Sequence, residues 1–317
     1  MDIGLKEAAE FLRSADRVLI LTHISPDGDT LGCAGALCLA LTKLGKQARL
    51  ACSDPLPKKY DYMLHCIPTP EFEPETVVAV DVADPKLLGS ELAPWGTRVD
   101  LCIDHHFSNT RYAARSVVNS AAANCENIYL LIQELGVAMT EEIARCLYTG
   151  LITDTGCFRY SCVTPQTHRI AADLMQYCPN TAALNLQLFE IKSRPRIALE
   201  RFALDHMLFW HNDRCALISV SQEILRQTGA TESDLEGLAP IPRNVEGVQI
   251  GFLVREKADG SFKISCRTAE PINAAELCKQ MGGGGHSRAA GCTFHGELSA
   301  LLEKLEALCA EFLAKAE

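Results

Sequence analysis

Carboxylate and imidazole side chains recur at four well-separated points of this chain, each time beside an apolar run. They are His23-x-x-x-Asp27-x-Asp29, Asp81 closing Val-Ala-Val-Asp, Asp104-His105-His106 after Leu-Cys-Ile, and Asp154 within Gly-Leu-Ile-Thr-Asp-Thr-Gly. Oxygen-rich donor sets with a few imidazoles suit manganese or magnesium, whereas thiolate-rich sets suit zinc. One carboxylate shared between two such ions would make a two-metal hydrolytic centre. Taken singly, these residues have plainer explanations. His23 to Asp29 could be an ordinary strand-to-helix loop, turned by Pro26 and Gly28 and capped by Asp29 or Thr30. Asp81 and Asp84 could be loop or capping residues, His105 and His106 two structural histidines, and Asp154 a helix-end aspartate. Independent caps do not explain four such segments together. Adjacent histidines point in different directions, so one could bind metal while its neighbour faces a substrate.

A second constellation lies near the C-terminal end: Met281-Gly-Gly-Gly-Gly-His286-Ser-Arg288-Ala-Ala-Gly291. Gly282, Gly283, Gly284 and Gly285 let backbone amides approach a phosphate, and a helix N-terminus after them would favour negative charge. A flexible connector is the alternative, but it gives no reason for His286 and Arg288. Arg267 ends a strand-like run and offers a fork of donors suited to phosphate, a solvated arginine being the bland reading. His65, His168, His206, His211 and His295 have no supporting pattern and read as surface or structural. Phe158, Arg159 and Tyr160 either line the site beside Asp154 or pack in the core.

The elements that must position these groups are legible from hydrophobic periodicity. Segments 17–22, 47–52, 77–81 and 99–103 read as buried strands, with a weaker one at 116–119. Segment 31–44 has apolar residues at helical spacing with Gly45 as its stop, and helices are also expected near 122–135 and 141–151. This alternation predicts an α/β fold, a mostly parallel sheet with helices on both faces. In such sheets ligands bind beyond the carboxyl ends of the strands, where His23, Asp81 and Asp104 fall. Asp154 differs, because it follows a helical run. The composition changes near 189–210, where a proline-started helix at 197–210 reads as a linker. Strands at 214–220, 248–255 and 262–267 and a closing helix at 297–315 then form a smaller α/β domain. The expected division is 1–188, a linker at 189–213, and 214–317.

With 317 residues, 48% hydrophobic and 22% charged, the chain is long enough for two domains with cores of their own. The N-terminal residues carry acidic side chains and show no secretory pattern, and the apolar runs are too short and too often interrupted for a membrane span. Fifteen cysteines, none in a C-x-x-C pair and many inside apolar runs, read as reduced buried thiols of a cytoplasmic protein. A formal net charge of −10 disfavours coating of long nucleic acid by phosphate neutralisation. It leaves room for a small phosphate ester, because bound divalent cations reverse the local field.

These residues resemble the DHH phosphoesterase superfamily, and the glycine-rich stretch with His286 resembles its DHHA1 domain, over nearly the full chain and in the same order. The size and domain pair resemble the superfamily's oligoribonuclease and 3′-phosphoadenosine 5′-phosphate phosphatase type. The resemblance implies two Mn2+ ions, with Mg2+ as the substitute. His23, Asp27 and Asp81 would hold one ion, and Asp29, Asp81, His105 and Asp154 the other, with Asp81 bridging. His106 would contact the scissile phosphate and assist the leaving group, and Asp104 would orient the histidines. Arg267, His286 and the Gly282–Gly285 loop would grip the nucleotide, with Arg288 an added cation where relatives often have proline. A cleft between the domains is a further implication, and a homodimer is left open.

The expected activity is metal-assisted hydrolysis of very short RNA to mononucleotides and of 3′-phosphoadenosine 5′-phosphate to AMP. A phosphodiesterase for cyclic or linear dinucleotides is the alternative. A pyrophosphatase would give the glycine-rich domain no clear role, and a processive exonuclease would be larger. A non-catalytic nucleotide-binding module would be expected to lack metal ligands, and all are present here.

Overall fold

The computed structural model describes residues 1–235 and 237–316. The chain divides into two compact units, Met1–Ile191 and Lys192 onward. In the first unit, apolar runs form five strands: β1 (Val18–Leu21), β2 (Ala48–Ala51), β3 (Thr76–Val80), β4 (Leu101–Asp104) and β5 (Arg115–Val118). All pair in parallel, in the spatial order β2-β1-β3-β4-β5. That order reverses direction between β1 and β3, the switch point at which open α/β sheets bind ligands.

Alternate residues of a strand face opposite sides, and both sides here are apolar. Val18 and Ile20 enter the larger core, shared with the helices Leu5–Ser14, Gly28–Lys43, Asn124–Leu135 and Glu141–Asp154. Leu19 and Leu21 enter the other core, beneath the short helical turns between Pro85 and Thr97. Helices therefore cover both faces, as periodicity predicts, with the long ones on one side only. Gly45, in the left-handed region at φ 79°, follows the end of the first long helix as expected.

Two of those helices approach each other unusually closely. A Cβ on Gly32 would collide with the backbone oxygen of Cys146, and one on Gly150 would collide with Cys125 Sγ and lie 2.8 Å from Asp29 Oδ1. Missing side chains at these two positions let the start of the Gly28–Lys43 helix pack onto the end of the Glu141–Asp154 helix. Asp29 and Asp154 lie at those two ends.

In the second unit, β6 (Leu208–Trp210), β7 (Cys215–Val220), β8 (Ile250–Glu256), β9 (Phe262–Thr268), β10 (Gly284–Gly285) and β11 (Ala289–Phe294) form one mixed sheet. Its order is β10-β11-β9-β8-β7-β6, with only β7 and β8 parallel. The closing helix Leu298–Ala314 packs on one face, and the helix Arg194–Asp205 buries Leu199 and Ala203 on the other. This second helix is the one expected to run to 210 as a linker. It stops at Asp205, and Leu208–Trp210 pairs antiparallel with β7 instead. Leu-Phe-Trp suits a pleated edge better than a fourth helical turn.

The glycine run also departs from expectation. No helix follows it: Gly284 and Gly285 pair with Gly291 and Ala290, and the chain reverses through Ser287-Arg288. Close pairing of backbones excludes side chains at two of the four, since a Cβ on Gly283 would collide with the Gly291 oxygen and one on Gly285 would lie 2.6 Å from the Ala289 oxygen.

The glycine contact yields a prediction. Gly32→Ala should destabilise the protein by about 1–3 kcal/mol, the cost of overpacking a tight contact, and should weaken divalent-cation binding by displacing Asp29. Thermal melts with and without Mn2+ measure both, and an unchanged melting temperature would remove the glycine contact from the account.

Candidate metal centre

The sheet's carboxyl edge and two helix ends bring the four acidic segments together. His23 follows β1, Asp81 follows β3, and Asp104 ends β4 and is followed by His105 and His106. Asp27 caps the Gly28–Lys43 helix, its Oδ1 accepting from the amides of Asp29 at 2.9 Å and Thr30 at 3.1 Å. The cap is therefore Asp27, whereas Asp29 or Thr30 was the sequence alternative. Thr30 Oγ1 instead donates to the Val80 oxygen at 3.1 Å, tying the helix start to the end of β3.

Asp29 is buried and reaches a different helix. Its Oδ2 accepts from Asn124 N at 2.6 Å and its Oδ1 from Cys125 N at 2.9 Å. Ala123, which precedes Asn124, has no side-chain oxygen for the cap, so Asp29 satisfies that helix start from afar. Asn124 in turn donates to the Ile103 oxygen at 2.9 Å, locking the same helix to β4. Sequence reasoning did not single out Asn124. Its signal is faint, an Asn opening an apolar helix.

Asp81 is the hub. Its Oδ2 lies 3.6 Å from His23 Nε2, and its Oδ1 lies 3.4 Å from His105 Nε2 and 3.5 Å from His106 Nδ1. Asp81 Oδ1 is buried and, among the described residues, accepts no hydrogen bond. The backbone there is left-handed at φ 60°, held by a bond from Asp81 N to the Ile103 oxygen at 3.0 Å. Such a conformation costs a non-glycine residue about 1–3 kcal/mol and persists only where its surroundings enforce it.

The imidazoles are oriented by their second nitrogens. His23 Nδ1 faces the Ile24 oxygen at 2.8 Å and His105 Nδ1 the Ala121 oxygen at 3.0 Å. As donors to those carbonyls, both rings present Nε2 to the carboxylates, the tautomer metal-binding histidines usually take. His105 Nε2 also lies 3.6 Å from Asp154 Oδ2, and His23 Nε2 3.8 Å from Asp27 Oδ1. His106 is turned the other way. Its Nδ1 donates to Asp104 Oδ1 at 2.8 Å, which also accepts the amides of His105 at 2.8 Å and His106 at 3.3 Å. Asp104 Oδ2 accepts from Asn109 Nδ2 at 2.6 Å. Asn109 is a further positioning residue the sequence did not single out.

The donors sort into overlapping groups, each with its atoms within 4.8 Å of one another: His23, Asp27 and Asp81; Asp29, His105 and Asp154; and Asp81, His105 and His106. Burial raises the carboxyl pKa of Asp81, pushes Asp29 to about 6 with help from the Asp81 charge, and pushes Asp154 to about 7 with help from Asp29. Burial works against charging the imidazoles, but the neighbouring Asp81 and Asp27 carboxylates carry His23 to about 9. Asp29, Asp81 and Asp154 do the same for His105, also to about 9. Asp104 moves the opposite way: despite burial, its bonds from His106 and Asn109 hold its pKa down. A buried, unbonded carboxylate oxygen and carboxyls that resist ionisation are what an oxygen-rich divalent-cation site leaves when its charge is not balanced. The donor set fits such a cation. Thiols take part only at the edge, where Cys33 and Cys125 lie beside Asp29.

The groups expected to hold substrate lie in the second unit. Arg267 sits in β9 opposite Ala289 and donates to its own strand's Cys266 oxygen at 3.0 Å. Arg288 donates to the Ile272 oxygen at 2.6 Å and lies 3.5 Å from Glu270, so part of its fork is committed to the neighbouring loop. Gly282, Gly284, Gly285 and His286 are exposed, and Gly283 is half-buried. Phe158 packs against Tyr148 and His168, which assigns it to packing. His206 stacks on Phe202, and His211 bonds to the Glu306 oxygen, both structural roles.

An open parallel sheet with an oxygen-rich donor cluster at its switch point, followed by a mixed-sheet unit, defines the class: a two-unit α/β protein with a cluster of side chains that could hold divalent cations. Residues 17–151 match the DHH family N-terminal domain and residues 215–313 the DHHA1 domain. A bifunctional oligoribonuclease and PAP phosphatase NrnA of Thermus thermophilus is 33% identical, over 92% of this chain and 89% of that protein. This chain belongs to the DHH–DHHA1 phosphoesterase family. Among solved structures, an exopolyphosphatase-related protein of Bacteroides fragilis superposes with a TM-score of 0.88 at 22% identity, covering 97% of this chain and 96% of the other. The Thermus thermophilus RecJ structure in complex with Mn2+ superposes at 0.60 and 16% identity, covering 97% and 55%. No helix among the described residues is long and apolar enough to cross a membrane.

Asp29, Asp154, His23 and His105 would have to give up protons to bind a cation, and theirs leave only at about 6, 7, 9 and 9, so affinity should depend on pH. Lowering the pH through that range restores competing protons, so Mn2+ should bind more tightly at pH 8 than at pH 6 and release protons on binding. Calorimetry in buffers of different ionisation enthalpy reads both, and equal affinity at the two values would refute the assignment of these groups as ligands.

Proposed function

We propose that this protein is a manganese-dependent phosphoesterase that hydrolyses very short oligoribonucleotides to mononucleotides and 3′-phosphoadenosine 5′-phosphate to AMP. The observation that carries the reading is the division of the Asp81 carboxylate, one oxygen turned to His23 and the other to His105. His23, Asp27 and Asp81 would hold one cation, and Asp29, Asp81, His105 and Asp154 a second. Two such ions supply Lewis acidity at the phosphoryl oxygens and lower the pKa of water. The oxygen and imidazole donors favour Mn2+ over zinc, with Mg2+ the substitute.

The protein's own part is orientation. Asp104 fixes His106 through Nδ1, so that its Nε2 meets the scissile phosphate and assists the leaving oxygen. Arg267, His286 and the Gly282–Gly285 backbone bind the nucleotide's phosphate, and Arg288 contributes the charge its loop contacts leave over. The name of the Thermus relative supports the substrate class. A net charge of −10 supports short substrates over long nucleic acid. Free thiols at all fifteen cysteines, of which only Cys162 is exposed, support a cytoplasmic setting.

A panel of di- to pentaribonucleotides and 3′-phosphoadenosine 5′-phosphate, assayed with Mn2+ and separately with Mg2+, tests the reading; no turnover of any member overturns it. Asp81→Asn keeps a side chain that tolerates the left-handed backbone and should abolish both turnover and Mn2+ binding. His106→Ala should cost about 10²–10⁴ in kcat while Mn2+ binding persists. Reversal of that pattern would exchange the two roles. Arg267→Ala should impair nucleotides far more than a small chromogenic phosphodiester. Equal losses on both substrates would count against nucleotide recognition by the second unit.

A further inference from the structure

Phe107 follows His106 and is fully exposed, at 104% relative accessibility, the highest among the described large apolar side chains. A single exposed apolar side chain is ordinary on a protein surface, but this one adjoins His106 in the chain and is the most exposed of those described. The segment bearing it is fixed. Asn109 N donates to the His106 oxygen at 3.1 Å, closing a turn with Phe107 and Ser108 at its tip. Asn109 Nδ2 bonds to Asp104 Oδ2, while Asp104 Oδ1 holds the His106 ring. One buried carboxylate therefore locks both the imidazole beside Asp81 and the turn that carries the aromatic ring. Thr110 N continues the anchoring to the Ala83 oxygen at 2.9 Å, beyond the end of β3.

We propose that Phe107 is a specificity-determining residue, a platform on which the nucleobase nearest the scissile phosphate stacks. The proposal rests on the reading of this centre as a nucleotide phosphoesterase and names how that centre selects nucleotides. Stacking on a phenyl ring is tolerant of base identity, because every base has a π-face. It suits an enzyme that clears short RNA of mixed sequence. On this proposal, a base stacked on the ring leaves its adjoining phosphate within reach of the neighbouring His106. A phosphodiester without a base would gain nothing from it.

The test compares Phe107→Ala and Phe107→Trp on a diribonucleotide and on an abasic ribose phosphodiester, with Mn2+ present. Phe107→Ala should raise KM for the dinucleotide about tenfold, the scale of one lost base–aromatic stack, with kcat little changed. Phe107→Trp should restore it, and the tenfold penalty should vanish on the abasic substrate. An unchanged KM, or an equal penalty on the abasic substrate, overturns the proposal while dinucleotide turnover by the unaltered protein leaves the functional reading standing. Emission of the introduced indole supplies a readout without turnover. Quenching by adenosine 5′-monophosphate, absent in the unaltered protein, is expected, and no added quenching overturns the stacking role even if no substrate is hydrolysed.

Discussion

Crowding of like charge governs this molecule. Asp27, Asp29, Asp81 and Asp154 converge with three imidazoles at one sheet edge, and Asp29 and Asp81 are buried there. Two carboxylates about 4 Å apart repel by about 4 kcal/mol at an effective dielectric near 20. Left to themselves these side chains would part or take up protons, and burial first, with the neighbouring charges second, raises their carboxyl pKa values. Several features of the first unit hold them in place against that repulsion.

Three devices do that holding, one on a carboxylate and two on the backbone. Asp29 is pinned by two amides at the start of the Asn124–Leu135 helix, whose partial positive charge partly offsets its burial. Asp81 is pinned by a left-handed turn bonded to the neighbouring strand. Asp154 is brought in by helix packing, close because Gly32 and Gly150 lack side chains. The Asp29 carboxylate is fixed by backbone amides, and Asp81 and Asp154 by the path of the backbone, which is why a strained, repulsive cluster can remain ordered.

Much of this was legible in the sequence, for a physical reason. Buried parallel strands are apolar throughout, so an Asp or His at the end of such a run stands out, and Asp81 and Asp104 were marked in that way. Helix Gly28–Lys43 and its stop at Gly45 were equally plain. What escaped were features that depend on partners distant in sequence. Asn124 and Asn109 matter only because Asp29 and Asp104 lie against them. Leu208–Trp210 followed a helix with no break in polarity, and only the free edge of β7 makes it a strand. The glycine run was expected to open a helix because that is how many phosphate loops are built. Here glycines serve close strand pairing, a use that the same composition permits equally well.

The same electrostatics sets an order of events. A phosphodiester is an anion, and before cations bind it meets a cluster of carboxylates in a chain of net charge −10. His23 and His105 oppose that field only while protonated, yet in that state their Nε2 atoms cannot serve as ligands. Protonated imidazoles and bound cations are therefore alternative ways of balancing the same charge, and only cations leave the imidazoles as neutral ligands beside a substrate. On the proposed function, cations would therefore have to enter first, and their charge would draw the phosphate in. His106, its Nδ1 held by Asp104 at 2.8 Å and 3.5 Å from Asp81 Oδ1, would on the same reading offer its other nitrogen to the substrate.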